Sequence, residues 1–236
     1  MAKKSLVSIA NLTPEDVNRL IARSIELKKG KLPRLLIGKV LALVFEKPSL
    51  RTRVSFDVAM HQLGGHTIYL SQSEVGLGKR EPIADVARVL SRYVNCITVR
   101  TFSQSLVEEL AHYASVPVIN ALTDEEHPCQ SLADLLTIVE KKGKSKGLNL
   151  TYVGDGNNVA HSLMLVAAQV GMNFCIGYPQ GYEPKAEIVS QAQAFAARSG
   201  AKIRLLHDPK EAVKGADIVY TDVWTSMGQE AESEVR

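Results

Sequence analysis

The sequence predicts an α/β protein built from two doubly wound parallel-sheet domains that are joined by a bridging helix. Short runs rich in valine and isoleucine alternate with longer segments of helical period, which is typical of parallel strands covered by helices on both faces. The strands fall into two series of four, separated by a helical segment over Ser131 to Lys142. We therefore expect one domain at residues 1–135 and the other at residues 136–236.

The elements follow in order along the chain. The first predicted helix begins at Thr13, whose hydroxyl can cap it, and Pro14 and Asp16 are typical of a first turn. The predicted strands of the first domain are Val40 to Phe45, His66 to Leu70, Cys96 to Arg100 and Val116 to Asn120. Those of the second domain are Leu148 to Gly154, Asn173 to Tyr178, Lys202 to His207 and Asp217 to Asp222. In such sheets ligands bind beyond the carboxyl ends of the strands, so functional side chains are expected in the loops that follow them.

The composition is that of an ordinary globular chain. Of its 236 residues 45% are apolar, and the basic residues behind the net charge of +3 are dispersed, so no nucleic-acid partner is predicted. Cys96, Cys129 and Cys175 are widely spaced and lie in no C-x-x-C pair or histidine cluster, which argues against disulfides and a metal site. No segment approaches the ~20 apolar residues of a membrane span. We therefore predict a cytoplasmic protein with no membrane partner.

The segment from Glu46 to Arg53 follows the first strand, opens a helix and suits an anion. Ser49 can cap the helix, which leaves the first-turn amides as donors at the positive end of the helix dipole. Arg51 and Arg53 flank those amides, and Thr52 adds a hydroxyl. Taken alone, the segment is better described as a helix start with surface arginines. Other loops at the same edge change that interpretation.

Two further loops of the first domain add groups to this edge. The strand from Cys96 runs into Arg100, which places another guanidinium there. The strand from Val116 leads into a loop that presents His127 and Gln130 just before the bridging helix. A lone histidine is more often structural, and Cys129 is more often a small buried hydrophobe than a nucleophile. The position of His127 at an edge already predicted to bind an anion favours a functional role.

The second domain offers a glycine-rich loop, Gly154 to Asn158, between its first strand and an apolar helix. A dinucleotide loop would need a third glycine where Val159 stands and an acid after the next strand, so no nucleotide cofactor is predicted. Asn157 and Asn158 instead offer donors and acceptors to a polar ligand.

The loop after the strand that begins at Asp217 is the last one that carries candidate binding residues. Asp222 can pair an ammonium group, and residues 226–228 can present backbone amides to a carboxylate. The first domain thus suits a phosphate and the second a zwitterion. From the residues alone, a reaction that joins an activated phosphate compound to an amino acid is favoured.

These motifs resemble those of the aspartate and ornithine carbamoyltransferase family, and in particular of its ornithine branch. Residues 49–53 are similar to the family's S-x-R-T-R phosphate motif, and residues 127–130 to its H-P-x-Q motif. Residues 154–158 and 222–228 resemble the second-substrate loops of the ornithine branch. The resemblance extends over almost the whole chain.

The resemblance implies transfer of the carbamoyl group of carbamoyl phosphate to the δ-amine of L-ornithine, giving L-citrulline and phosphate without a metal or organic cofactor. It implies that Arg100, His127 and Thr52 are catalytic and polarise the carbonyl group. The residues it implies for carbamoyl phosphate binding are Ser49, Leu50, Arg51, Thr52, Gly76, Arg100, His127 and Gln130. Those it implies for L-ornithine binding are Asn158, Asp222, Ser226 and Met227.

The resemblance also bears on assembly and length. Family members form trimers in which a neighbouring subunit contributes a loop to each site, so a homotrimer or a multiple of it is expected. The segment Ser73 to Glu81 matches that loop, and Gly76 stands where some relatives have a glutamine that reaches the neighbouring site. The family continues past the position of Arg236 with a His-Cys-Leu-Pro-like loop and a terminal helix, which implies that the second domain is incomplete and the chain a fragment.

Other functions stay open at this point. The amine acceptor can be putrescine, N-acetylornithine or a related amine, although the loop at residues 226–228 favours an α-amino acid. Aspartate is disfavoured because basic residues for its side-chain carboxylate are not apparent in the second domain. A noncatalytic relative that binds carbamoyl phosphate or a protein partner is the alternative of a different class. Arg51, Arg100 and His127 argue against it, because a scaffold has no need of these groups on one edge.

Overall fold

The structure is a computed structural model that describes residues 4–30, 33–78 and 80–223. The chain divides into two compact units, Met1–Leu136 and Thr137–Arg236. Each unit contains a parallel sheet, and one helix runs through the boundary between them. The α/β class with two parallel-sheet units, predicted from the alternation of strands and helices, is confirmed.

The described elements have the following bounds. The strands are β1 Val40–Phe45, β2 His66–Ser71, β3 Cys96–Arg100, β4 Val118–Leu122, β5 Asn149–Val153, β6 Asn173–Gly177, β7 Ile203–Leu206 and β8 Ile218–Thr221. The α-helices are α1 Pro14–Lys29, α2 Leu50–Gln62, α3 Gln72–Val75, α4 Ile83–Tyr93, α5 Gln104–Tyr113, α6 Pro128–Lys142, α7 Asn158–Gln169, α8 Ala186–Ser199 and α9 Pro209–Ala212. A short 3-10 helix, Ile9–Asn11, precedes α1.

The sheet of the first unit has the strand order β2-β1-β3-β4. Alternate residues of β1 face opposite sides: Ala42 and Val44 pack in one apolar cluster, and Leu41 and Leu43 pack in another. The chain leaves β1 toward β2 and later returns on the other side of β1 as β3, which makes the β1–β3 boundary the topological switch point. In open α/β sheets, ligands bind in the crevice beyond the carboxyl ends of the strands at such a point.

The sheet of the second unit has the order β7-β6-β5-β8 and places its switch point between β5 and β8. The strands pair in parallel there, with Val153 opposite Thr221 at their carboxyl ends. Helix α7 follows β5 and is buried from Val159 to Gln169, which agrees with its mostly apolar sequence. The loops after β5 and β8 therefore leave the sheet side by side.

Two elements begin two or three residues from their predicted starts, and proline chemistry explains both. The fourth strand begins at Val118 and not at Val116, because Pro117 has no amide to donate and takes part only through its carbonyl, which accepts from the Ile97 amide at 3.0 Å. The bridging helix begins at Pro128 and not at Ser131. Proline suits the first helical position, where its missing N–H would have no intrahelical partner. The fourth strand also ends at Leu122 and not at Asn120, and the other predicted strand bounds differ by at most one residue.

Among residues 4–30, 33–78 and 80–223, no helix is long and apolar enough to cross a membrane.

Candidate functional site

The N-terminus of α2 lies directly beyond the carboxyl end of β1. Ser49 has extended backbone angles and its hydroxyl accepts from the Thr52 amide at 3.3 Å, so the predicted cap is confirmed. The amides of Leu50 and Arg51 belong to the first turn and have no intrahelical acceptor. Arg51 is exposed, and no hydrogen bond or ion pair to other described residues holds its guanidinium. These groups form a donor-rich helix start.

Arg100 is the last residue of β3, and it is paired in register with Phe45 of β1 and Leu122 of β4. The residue is only 4% exposed. Within the part of the chain that the structure describes, its Nε has no hydrogen-bond partner and no carboxylate forms a salt bridge with it. Burial lowers the pKa of the guanidinium, although an arginine stays charged at neutral pH. A buried cation without a counterion is costly, so an anionic ligand beside Arg100 would be strongly favoured.

His127 follows the loop after β4 and lies within electrostatic range of Arg100. Burial, and secondarily the charge of Arg100, lower the pKa of the His127 imidazole from 6.5 to about 4. The side chain is therefore neutral at physiological pH. A neutral imidazole beside a buried guanidinium can donate a hydrogen bond to a ligand oxygen without adding a second buried cation.

The neutral state of His127 has a measurable consequence. We expect the C2 proton of His127 to titrate in NMR with a pKa of about 4, with the resonance assigned by its loss in the His127→Asn variant. Because the folded-state pKa lies below the ordinary value, the unfolded chain takes up this proton first, and His127 lowers stability as the pH falls from about 6.5 to 4. Titration of this resonance near pH 6.5 or above would contradict the burial of His127 beside Arg100.

Side-chain contacts tie together the loops that follow β1, β3 and β4. Lys47 forms an ion pair with Asp124, and its Nζ lies 4.2 Å from the centroid of the Phe102 ring. The Thr101 hydroxyl donates to the Glu46 carboxylate, and the Glu46 amide donates to the Arg100 carbonyl at 2.8 Å. The loops that carry the α2 start, Arg100 and His127 are thus held against one another.

The first turn of α6 presents Gln130, since this helix begins three residues earlier than predicted. The Gln130 amide nitrogen Nε2 donates to Asp134 Oδ1 at 2.9 Å. Cys129 lies beside it, where its thiol donates to the Asn120 carbonyl at 3.5 Å and burial raises its pKa to about 12. A thiol in that state is not a nucleophile, which agrees with the interpretation of Cys129 as a small hydrophobe.

The structure also shows the local surroundings of Arg53 and Gly76. Arg53 does not flank the helix start as an anion ligand, because its guanidinium stacks on the Tyr69 ring at 3.7 Å from the centroid. Gly76 ends α3 in a left-handed conformation with φ +55, and a side chain there would meet Arg80 Cβ at 3.1 Å. The glycine is thus required locally by the turn, whatever its further role.

In the second unit, the oxygen of the Asn157 side chain organises the loop after β5, so this oxygen is not offered to a ligand as predicted. The Asn157 Oδ1 atom accepts from the amides of Val159 and Ala160 at 3.0 and 3.1 Å, so it caps α7. Asn158 is the first residue of that helix and is half-buried. The oxygen of the Asn157 amide is thus used within the chain, and a binding role for Asn158 stays a prediction.

Tyr152 links this loop to the residue that follows β8. It is fully buried, its hydroxyl donates to Asn157 Oδ1 at 3.3 Å, and its ring stacks on Tyr220 at 5.7 Å between centroids. Burial raises the pKa of Tyr152, and the Asp222 carboxylate raises it further. Asp222 is exposed, at the switch point of the second sheet. Ser226 and Met227 lie outside the described residues.

Most of the site residues predicted from the sequence thus lie at the switch points of the two sheets, in one group in each unit. Asp134 and Tyr152 were missed. Asp134 would have been found by placing Pro128 at the first helical position, since that puts Gln130 and Asp134 one turn apart on the same helix. Tyr152 gave no signal beyond its position in an apolar strand.

Comparisons with known proteins agree with these features. Residues 4–140 match the family model described as "Aspartate/ornithine carbamoyltransferase, carbamoyl-P binding domain". Residues 146–236 match the one described as "Aspartate/ornithine carbamoyltransferase, Asp/Orn binding domain". The chain therefore belongs to the aspartate/ornithine carbamoyltransferase family.

Within the family, the chain is similar to proteins named ornithine carbamoyltransferase. That of Anoxybacillus flavithermus is 55% identical over 99% of this chain and 76% of its own length. The solved enzyme of Pyrococcus furiosus is 52% identical, covers 100% of this chain with 76% of its own, and has a TM-score of 0.95. A solved N-acetyl-L-ornithine transcarbamylase variant complexed with PALAO is 32% identical, with a TM-score of 0.87 and coverage of 99% of this chain and 80% of its own.

Proposed function

We propose that this protein transfers the carbamoyl group of carbamoyl phosphate to the δ-amine of L-ornithine, giving L-citrulline and phosphate. The observation that carries the proposal is the buried guanidinium of Arg100, which has no counterion among the described residues and lies beside the neutral imidazole of His127. Such a pair suits an oxygen on which negative charge develops, because its donors are fixed before the reaction starts.

The first unit would bind carbamoyl phosphate. The phosphate would lie at the start of α2, held by the Ser49 and Thr52 hydroxyls, the Leu50 backbone and the Arg51 guanidinium. Arg100, His127 and Thr52 would polarise the carbonyl oxygen, and Gln130 would bind the amine end. Gly76 has no side chain to offer, so its loop would contribute backbone groups to the site of a neighbouring subunit.

The second unit would bind the acceptor. Asp222 would pair the α-ammonium group of L-ornithine, and Asn158, Ser226 and Met227 would hold the rest of the amino acid. The δ-amine must lose a proton before it attacks, and desolvation in the site lowers the pKa of an amine in the required direction. Attack on the carbonyl carbon forms a tetrahedral oxyanion. Cleavage of the bond to the phosphate oxygen, with transfer of one proton from the attacking nitrogen to the departing phosphate, then gives L-citrulline and phosphate.

Assembly into a homotrimer, or a multiple of it, is part of the proposal. One face of α2 carries Leu50, Val54 and Val58, which are 78%, 49% and 45% exposed. An apolar stripe of this kind on a helix surface marks an interaction site. A cytoplasmic location fits the same proposal, since Cys96, Cys129 and Cys175 are all free.

The experiment that tests the function is an assay of the 236-residue chain for ureido products with three acceptors. We expect citrulline from L-ornithine, with much slower reaction of putrescine and N-acetylornithine. Faster turnover of N-acetylornithine would indicate the activity named for the 32% identical N-acetyl-L-ornithine transcarbamylase instead. A folded chain that forms no product with any acceptor would instead be a binding-only relative.

A further inference from the structure

Gln130 and Asp134 lie four residues apart in the first two turns of α6, on the same face of the helix. Gln130 Nε2 donates to Asp134 Oδ1 at 2.9 Å. No donor of the described residues bonds to the other polar atom of the Gln130 side chain, Oε1. The amide group therefore has one end fixed and the other end open to a ligand.

The Asp134 carboxylate determines which end of the Gln130 side-chain amide faces it. An ionised carboxylate only accepts hydrogen bonds, so it bonds to the NH₂ end of a side-chain amide and repels the oxygen end. A rotation of the Gln130 amide by half a turn would set Oε1 against Asp134 Oδ1 and lose the bond. Asp134 therefore holds Gln130 with Oε1 turned away from the carboxylate.

This orientation matters because the rest of the site is rich in donors. The α2 amides, Arg51 and Arg100 all suit oxygen atoms of a ligand, whereas an NH₂ group needs an acceptor. The oxygen of Gln130 supplies that acceptor only while its amide keeps the observed orientation.

We propose that Asp134 is a positioning residue that fixes the Gln130 amide and thereby selects an acyl phosphate carrying an NH₂ group over one carrying a methyl group. The proposal rests on the proposed function. It assigns the preference for carbamoyl phosphate over acetyl phosphate to a carboxylate that acts through Gln130.

The test compares three ligands by calorimetric titration of the full chain: carbamoyl phosphate, acetyl phosphate and inorganic phosphate. In Asp134→Asn the new amide can donate or accept, so Gln130 populates both orientations. We expect the Kd for carbamoyl phosphate to rise about 5- to 10-fold, the size of one lost hydrogen bond, and the Kd values of the other two ligands to change less than about 2-fold. Asp85→Asn is the matched control, since Asp85 is an exposed carboxylate on α4 whose ion pair among the described residues is with Arg88.

A double-mutant cycle separates positioning from general damage. If Asp134 acts through Gln130, the Asp134→Asn change should have almost no effect on carbamoyl phosphate binding in a Gln130→Ala background. Equal losses for all three ligands, or additive effects in the cycle, would overturn the role of Asp134.

Failure of the proposed function and failure of the role of Asp134 give different results. A wild-type chain that binds carbamoyl phosphate no better than acetyl phosphate contradicts the proposed function itself. A wild-type preference that survives Asp134→Asn leaves the proposed function intact and removes only the inference about Asp134.

Discussion

Replacing Arg100 by leucine is expected to lower turnover by about 10² to 10³, the cost typical of removing one donor to a developing oxyanion. The same change should not lower the melting temperature. Arg100 is 4% exposed and has no counterion among the described residues, so leucine relieves the desolvation of an unpaired cation while filling part of its volume. Loss of activity without loss of stability is the signature of a residue kept for its ligand.

Steady-state kinetics and thermal unfolding of the same preparations check this expectation. Arg88→Leu is the matched control, because Arg88 is 58% exposed on α4 and pairs with Asp85 at the surface. It should keep nearly full activity. Unchanged turnover in Arg100→Leu would remove Arg100 from the site, and a large drop in melting temperature would show that the arginine serves the fold.

Replacing Gly156 by alanine is expected to lower the free energy of unfolding of the second unit by about 3 kcal/mol, the upper part of the range for overpacking. A methyl group at this position would lie 2.1 Å from the Pro184 backbone nitrogen and 2.5 Å from the Pro184 Cα. The Gly156 amide also donates to the Tyr182 carbonyl at 2.8 Å. Backbone must shift to admit the methyl group, and the loop that leads to Asn158 would move with it.

Urea unfolding followed by circular dichroism measures this loss, and hydrogen exchange of residues 154–158 locates it. Gly181→Ala separates the steric clash from backbone strain, because Gly181 has φ +89 but nothing within 4 Å of an added methyl group. That variant should lose only about 1 kcal/mol. Equal losses of unfolding free energy in the two variants would mean that the close approach of Gly156 to Pro184 adds no steric cost.

Most of the fold could be predicted from the sequence, because parallel sheets buried on both faces require strands that are continuous apolar runs. The strand β1 was predicted with its observed bounds, and the cap at Ser49 followed from residue type alone. Errors arose where proline altered a boundary, at Pro117 and Pro128, since a periodic pattern does not show which backbone groups can pair.

The candidate site was harder to predict from the sequence, because a residue type does not reveal which hydrogen bonds a side chain already makes. Asn157 and Asn158 look equivalent in sequence, yet the first is used to cap α7. Arg51 and Arg53 look equivalent too, yet the second stacks on Tyr69. The absence of a counterion for Arg100 among the described residues emerges only from tertiary packing.

Calorimetric titration of the wild-type chain with carbamoyl phosphate tests most directly whether the edge formed by the α2 start, Arg100 and His127 binds this compound. We expect saturable binding with one site per chain, weakened competitively by inorganic phosphate, since both ligands would use the α2 start. No saturable binding, or binding that inorganic phosphate leaves unchanged, would contradict it.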